Sequence, residues 1–192
     1  GVKSFACSET QKYGHVTYFW NGNRTEKFSE ELETFVQVPS DVIPFEQRPW
    51  MKAAEITDEL ISAIQSNEFQ FLRINLANGD MVGHTGNLKA TIKACEAVDL
   101  ELEKIIKKLK VSNGIMLIIS DHGNCEKMID SKTRQPHTAH TLNLVPAVLV
   151  GYESDTKLRD GRLSDIAPTI LDLMNLPKPP EMTGKTLIIR GH

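Results

Sequence analysis

The 192-residue chain has 40% hydrophobic residues and a formal net charge of −3, which is typical of a soluble globular protein large enough to bury a core. Its lysines and arginines are scattered rather than clustered, which argues against a nucleic-acid binder. No apolar run approaches the length of a membrane span, and we expect no signal peptide ahead of the first strand. Three cysteines without a framework spacing favour reduced thiols and a cytoplasmic location.

In chain order, the first half predicts three strands and two helices. A short strand is expected at residues 5–8, a second at 35–38 and a third, apolar and buried, at 69–76. Residues 54–65 carry apolar side chains at helical spacing and predict an amphipathic helix. Residues 13–20 are rich in aromatic and β-branched residues, as strands are, but their apolar spacing, with Thr10 as cap and Asn21-Gly22 as stop, favours a short helix.

The second half predicts a long helix at residues 88–110, with Ile92 and Cys95 among its inward positions, and then an interior parallel strand at 115–119. A strand, a helix and a strand in this order indicate a right-handed crossover and a parallel sheet. A hairpin over 126–129 and 134–138 precedes a strand at 147–150, and a helix capped by Ser164 is expected over 163–174. The predicted fold class is α/β, with a largely parallel sheet flanked by helices.

Acid and imidazole side chains follow two of these strands directly. Asp80 and His84 lie in a predicted loop after the strand at 69–76, and Asp121 and His122 follow the strand at 115–119. Two more histidines, His137 and His140, precede the strand at 147–150. Because open α/β sheets bind ligands at the carboxyl ends of their strands, these residues are expected to share one edge of the sheet.

Two metal-binding sets can be drawn from these residues. The first set is Asp80, His84 and His140. One carboxylate and two imidazoles would leave a metal ion room for a further, non-protein ligand, as in a catalytic site. Asp121 and His122 are adjacent and predict half of a neighbouring site, and paired metals commonly clamp a transferring phosphoryl group. Other roles are open: the aspartates are compatible with helix caps or turns, His122 with a core position, and His137 with the surface.

Several motifs occur in a fixed order along the chain. They are SETQKYGHVTYFWNG at residues 8–22, NGDMVGHTG at 78–86, DHGN at 121–124, TAHT at 138–141, and DIAPT at 165–169 with EMTGK at 181–185. In this order they resemble cofactor-independent phosphoglycerate mutase, a family of the alkaline phosphatase superfamily. The resemblance covers residues 5–187, and the first two motifs are specific to the mutases.

The resemblance implies an isomerase of glycolysis and gluconeogenesis that interconverts 3-phosphoglycerate and 2-phosphoglycerate through a phosphoserine intermediate on two divalent ions. Manganese is the expected metal, with zinc, cobalt or magnesium as alternatives, and no organic cofactor is expected. Asp80, His84 and His140 match the ligands of one ion, and Asp121 and His122 match part of the ligand set of the other.

The same resemblance gives Lys12 contact with the phosphoryl group, a role that suits a fixed positive charge. On sequence alone a solvated surface position is the favoured interpretation of Lys12. His15 belongs to the same motif, but no chemical role follows for it.

The chain resembles only the C-terminal part of the mutase's metal-binding domain. The N-terminal strand with the nucleophilic serine and the inserted transferase domain have no counterpart in residues 1–192, so we expect the isolated chain to be inactive. The whole protein is expected to be a cytoplasmic monomer with no nucleic-acid or membrane partner. The alternatives are another metal-dependent phosphatase, sulfatase or nucleotide pyrophosphatase of the superfamily, or a non-catalytic metal-binding module.

Overall fold

The computed structural model describes residues 1–190. They divide into two compact units. The first contains residues 1–113 and 123–143, and the second contains residues 114–122 and 144–190. Within residues 1–190, no helix combines the length and the apolarity that crossing a membrane requires.

The first unit is built on a three-stranded parallel sheet. Its strands are β1 (Ser4–Glu9), β2 (Glu33–Val38) and β3 (Phe71–Asn75), in the order β2-β1-β3. Both pairings are parallel, so the three carboxyl ends lie at one edge, with Ser8 of β1 opposite Gln37 and Asn75. All three strands were predicted, and the parallel sheet flanked by helices confirms the expected fold class.

Two helices connect these strands. The helix α1 (Tyr13–Val16) is shorter than the predicted 13–20. It ends after one turn, where Thr17 leaves helical geometry, and Trp20 stacks on Phe71 of the sheet with ring centroids 5.8 Å apart. The helix α2 (Ala53–Ser66) matches its prediction. Its buried face packs on the sheet in a core of residues Phe5, Cys7, Ile56 and Ala63.

Two further helices follow β3. The helix α3 (Asn78–Gly83) occupies a stretch that was predicted to be a loop. Its two glycines weaken the local helical preference, but burial of Val82 in a core with Met51, Ala77, Ala90 and Ala94 outweighs that preference.

The long helix α4 (Leu88–Val111) confirms the predicted element. The Asn87 side chain caps it by accepting a hydrogen bond from the Ala90 amide at 3.1 Å. The predicted inward positions Ile92 and Cys95 are exposed, because the buried stripe of α4 runs through Ala90, Ala94 and other residues instead.

The second unit corrects the expected strand direction. The strand β4 (Met116–Ile119) pairs antiparallel with β5 (Ala147–Val150), whereas a parallel interior strand was predicted. The strand β4 is half-buried rather than interior and lies in a different sheet from β3, so the parallel crossover inferred at this point does not form among the described residues. A second antiparallel pair joins β6 (Lys157–Leu158) to β7 (Ile188–Ile189).

The last helix of the second unit also starts differently from its prediction. A 3-10 turn over Leu163–Asp165 leads into α5 (Ile166–Leu173). Asp165 rather than Ser164 stabilises the start, because its carboxylate accepts hydrogen bonds from the backbone amides of Arg162 at 3.1 Å and Lys185 at 2.8 Å. These bonds lower the pKa of Asp165 from its usual 3.8.

Candidate metal centre

Three side chains of the first unit converge beyond the carboxyl edge of the sheet. Asp80 lies in the first turn of α3, directly after β3, and His84 follows the end of the same helix. Oδ1 of Asp80 lies 3.0 Å from Nε2 of His140 and 3.1 Å from Nε2 of His84. The two Nε2 atoms are themselves 3.0 Å apart. The structure therefore brings together the first predicted set in a compact triangle of one oxygen and two nitrogens.

The outer ring nitrogen of His84 has a backbone partner. Nδ1 lies 2.6 Å from the carbonyl oxygen of Thr138, and a carbonyl oxygen can only accept a hydrogen bond. In the tautomer that donates from Nδ1 to Thr138, the lone pair of Nε2 points into the triangle. This is the arrangement of metal-binding histidines, whose second nitrogen is usually held by a backbone carbonyl or a carboxylate.

An antiparallel bridge pairs the two ends of the segment 123–143 with each other. Thr141 donates its amide to the carbonyl of Gly123 at 2.9 Å, which places His140 and Asn124 on the same side. The hairpin predicted within this segment forms as one bridge between Ile129 and Pro136. Backbone hydrogen bonds from Asp130 to Gln135 and from His137 to Met128, both 2.9 Å, flank the bridge.

Asn124 is a site residue whose role sequence reasoning missed. It is 5% exposed, and its Nδ2 donates to Oδ1 of Asp80 at 2.9 Å. The close fit depends on Gly83, because a Cβ atom there would lie 2.4 Å from Oδ1 of Asn124. Asn124 had been noted only as the last residue of the DHGN motif, and nothing in that motif indicates which carboxylate its amide contacts.

Lys12 approaches Asp80 from the end of β1. Its Nζ lies 2.5 Å from Oδ2, the carboxylate oxygen that does not face the histidines. Both side chains are largely buried, at 12% and 15% exposure. Lys12 is therefore not a solvated surface lysine but part of the cluster around Asp80.

The surroundings of Asp80 keep it ionised. Burial opposes the charged form, but hydrogen bonds from Lys12 and Asn124 outweigh burial and lower the pKa of Asp80 to about 2 from its usual 3.8. The carboxylate is thus available as an anionic ligand across the whole physiological pH range.

The donor set fits a divalent metal ion. Ligand atoms held about 2.0–2.2 Å from one ion are separated from each other by roughly 3.0–3.5 Å, and the triangle of Asp80, His84 and His140 is close to that size. Imidazole nitrogen with carboxylate oxygen suits zinc, cobalt or manganese better than calcium. The two histidine side chains are 39% and 47% exposed, so a ligand from outside the triangle can reach the same point.

The other predicted residues lie outside this triangle. Asp121 and His122 follow β4 in the second unit, with Nε2 of His122 3.6 Å from Oδ1 of Asp121. Among residues 1–190, Asp80, His84 and His140 are the group of three potential ligands that converges. His15 packs edge-on against Phe19, and His137 is half-buried.

The chain is similar in sequence to a known enzyme family. Residues 1–178 match the model of the Metalloenzyme superfamily. Over 188 residues the chain is 52% identical to 2,3-bisphosphoglycerate-independent phosphoglycerate mutase of Ruegeria pomeroyi, covering 98% of this chain and 37% of that protein. A Methanosarcina barkeri protein described as phosphoglycerate mutase 2 of the same type is 46% identical, covering 99% of this chain and 36% of its own length.

A solved structure agrees with these sequence relatives. The crystal structure of Leishmania mexicana phosphoglycerate mutase at low cobalt concentration superposes with a TM-score of 0.93 and 41% identity. The match covers 100% of this chain and 38% of that one. The resemblance drawn from the motifs is confirmed, and the chain spans little more than a third of the length of these relatives.

Proposed function

The chain belongs to the Metalloenzyme superfamily, and we propose that its first unit holds one divalent metal ion of a phosphoglycerate mutase. The observation that carries the proposal is the triangle of Asp80 Oδ1, His84 Nε2 and His140 Nε2, with Lys12 on the remaining oxygen of Asp80. A bound ion would act as a Lewis acid toward phosphoryl oxygens.

The residues around the ion have distinct roles in this proposal. Thr138 holds the His84 ring through its carbonyl, so that Nε2 stays unprotonated and aimed at the ion. Asn124 fixes Oδ1 of Asp80. Lys12 holds Oδ2, and its ammonium group offers a positive charge to phosphoryl oxygens that gain negative charge during transfer.

The proposed reaction is the interconversion of 3-phosphoglycerate and 2-phosphoglycerate by the whole protein. Its support is the set of mutase relatives, which match nearly the full chain at 46–52% identity. A mutase that works through a phosphoserine needs a nucleophile, which we place in a part of the protein outside residues 1–192. The chain alone is therefore proposed to be inactive.

A second ion is proposed at Asp121 and His122, with its other ligands contributed from outside this chain. The preference for Mn²⁺ also remains a prediction. A monomeric state and a cytoplasmic location are likewise predictions of the sequence.

The metal site is tested by titrating the purified, metal-stripped protein with Co²⁺ and Mn²⁺ in a calorimeter. We expect binding that falls at least tenfold in His140→Ala and Asp80→Ala, because each change removes one of three donors. Asp99→Ala removes an exposed carboxylate of α4 and serves as the control. Binding that is equal in all four proteins would refute the ligand assignment.

The reaction is tested separately with an enolase-coupled assay. The full-length protein that carries this chain should convert 3-phosphoglycerate, and residues 1–192 alone should not. Hydrolysis of p-nitrophenyl phosphate without mutase turnover by the full-length protein would favour the phosphatase alternative. Turnover by the isolated chain would contradict the assignment of the nucleophile to another part of the protein.

A further inference from the structure

Two thiols of the first unit lie close together near the candidate metal centre, and neither is one of its proposed ligands. Sγ of Cys95, on α4, lies 3.8 Å from Sγ of Cys125, in the segment 123–143. The two residues are 30 positions apart in sequence, so the fold rather than chain proximity brings them together. All three cysteines of the chain are free thiols.

The pair is accessible from solvent. Cys95 is exposed and Cys125 is half-buried, whereas Cys7 is fully buried in β1. A small reagent can therefore reach the pair and not the third thiol. Closing the gap from van der Waals contact to the bond length of a disulfide, about 2.05 Å, requires a movement of less than two ångströms.

The electrostatics of the pair distinguish its two members. The hydrogen bond from the Cys95 thiol lowers the pKa of Cys125 to about 7 from its usual 9.0. The same contact, together with burial, raises the pKa of Cys95. Because the thiolate is the reactive form, Cys125 is the nucleophile and Cys95 the resolving thiol.

We propose that Cys95 and Cys125 form a dithiol site that reacts with hydroperoxides and closes to an intramolecular disulfide. In the first step the Cys125 thiolate attacks the terminal oxygen of ROOH, the O–O bond breaks, and RO⁻ leaves to give Cys125–SOH. In the second step the Cys95 sulfur attacks the Cys125 sulfur, and the hydroxyl leaves as water with the thiol proton. The sum is two thiols and ROOH to one disulfide, ROH and water.

The site adjoins the metal centre through the backbone. Cys125 follows Asn124, the residue that donates to Asp80. Its Sγ also lies against α3, at 3.5 Å from where a Cβ atom on Gly79 would be. The reaction of the two thiols needs no metal ion at the neighbouring residues.

The test is thiol and disulfide mapping of the purified protein before and after one equivalent of hydrogen peroxide. We expect two thiols that react quickly in the native protein and a third that reacts only after unfolding. After peroxide, peptide mass spectrometry should show a Cys95–Cys125 link within one molecule, lost on treatment with dithiothreitol. Peroxide-treated protein that keeps both thiols, or that forms only links between molecules, would overturn the proposal.

Matched single variants test the order of the steps. Cys95→Ser removes the resolving thiol, so dimedone should trap a sulfenic acid on Cys125. In Cys125→Ser we expect much less trapping on Cys95, at least fivefold lower at neutral pH. Equal trapping in the two variants would contradict the assignment of Cys125 as the nucleophile.

Discussion

Lys12, just before α1, and Asp80, in the first turn of α3, form an ion pair with Nζ 2.5 Å from Oδ2 of the carboxylate. The other oxygen of Asp80 faces His84 and His140. The two oxygens of Asp80 thus have different partners, since one contacts the Lys12 cation and the other faces the two histidines of the proposed metal site. This division requires β1 and β3 to lie side by side with their ends aligned, as they do.

Replacing Lys12 with Met should raise the pKa of Asp80 from about 2 toward its usual 3.8, because the variant loses the hydrogen bond and the positive charge. The stability that this contact contributes is present above the usual pKa and is lost as the pH falls toward 2. Carbon-detected NMR titration of the metal-free protein measures the shift. Lys93→Met, an exposed change on α4, should leave the Asp80 titration where it is, and an unchanged pKa in Lys12→Met would disprove the coupling.

Gly83→Ala should damage both stability and the metal site. The new Cβ would lie 2.4 Å from the Asn124 side chain, and overpacking of a buried position costs about 1–3 kcal/mol. Gly79→Ala is the matched control on the same helix, because its Cβ would make an ordinary 3.5 Å contact. Thermal unfolding and Co²⁺ titration of the two variants measure the difference. Equal behaviour would show that Asn124 moves aside freely.

Asn87→Ala should reduce the free energy of unfolding by about 1 kcal/mol, because it removes the cap of α4. Asn87→Asp keeps an acceptor for the Ala90 amide and should retain most of the stability. Urea unfolding monitored by circular dichroism measures both. A loss of similar size in the two variants would point to a role for the Asn87 amide beyond capping.

Metal affinity should fall on acidification, because His84 and His140 must be neutral to bind an ion. Histidines ordinarily change charge between about pH 5 and 8, whereas Asp80 stays ionised down to about 2. Calorimetric titration with Co²⁺ at a series of pH values should therefore show that binding weakens as the pH drops. It should also show that each bound ion then releases more protons. Affinity that is constant over this range would argue against imidazole ligation.

Asp165→Asn should lower the thermal midpoint of the second unit at neutral pH. The pKa of Asp165 is lowered in the folded protein by the amides of Lys185 and Arg162, so its stabilising effect is present above the usual 3.8 and disappears as the pH falls below it. In calorimetric scans, the difference in thermal midpoint between wild type and variant should therefore shrink as the pH falls. Asp160→Asn, at an exposed position, is the control, and a difference independent of pH would indicate lost shape rather than lost charge.

The sequence predicted that Asp80, His84 and His140 converge. The strand-end rule was not selective, because it placed Asp121 and His122 at the same edge, whereas these two lie in the second unit. The sequence did not predict the role of Asn124, since that depends on the bridge between Gly123 and Thr141. Such a bridge leaves no periodic pattern in a segment that forms no strands.

The errors in the fold have similar causes. The apolar run of β4 suggested an interior parallel strand, but the strand is half-buried and its direction is decided by its partner β5. The helix α3 was missed because glycines at 79 and 83 oppose helix formation locally, while the buried Val82 favours it through packing.

The donors Asp80 and His140 stand 60 residues apart in the chain. An ion bound to both would therefore cross-link the chain as well as act as a Lewis acid. The cross-link would close a loop that contains α4. A cross-link over a loop of this length reduces the entropy of the unfolded chain by the equivalent of roughly 4 kcal/mol. The metal would then fasten the segment 123–143 to α3, in addition to the hydrogen bonds that the Asn124 amide donates to Asp80.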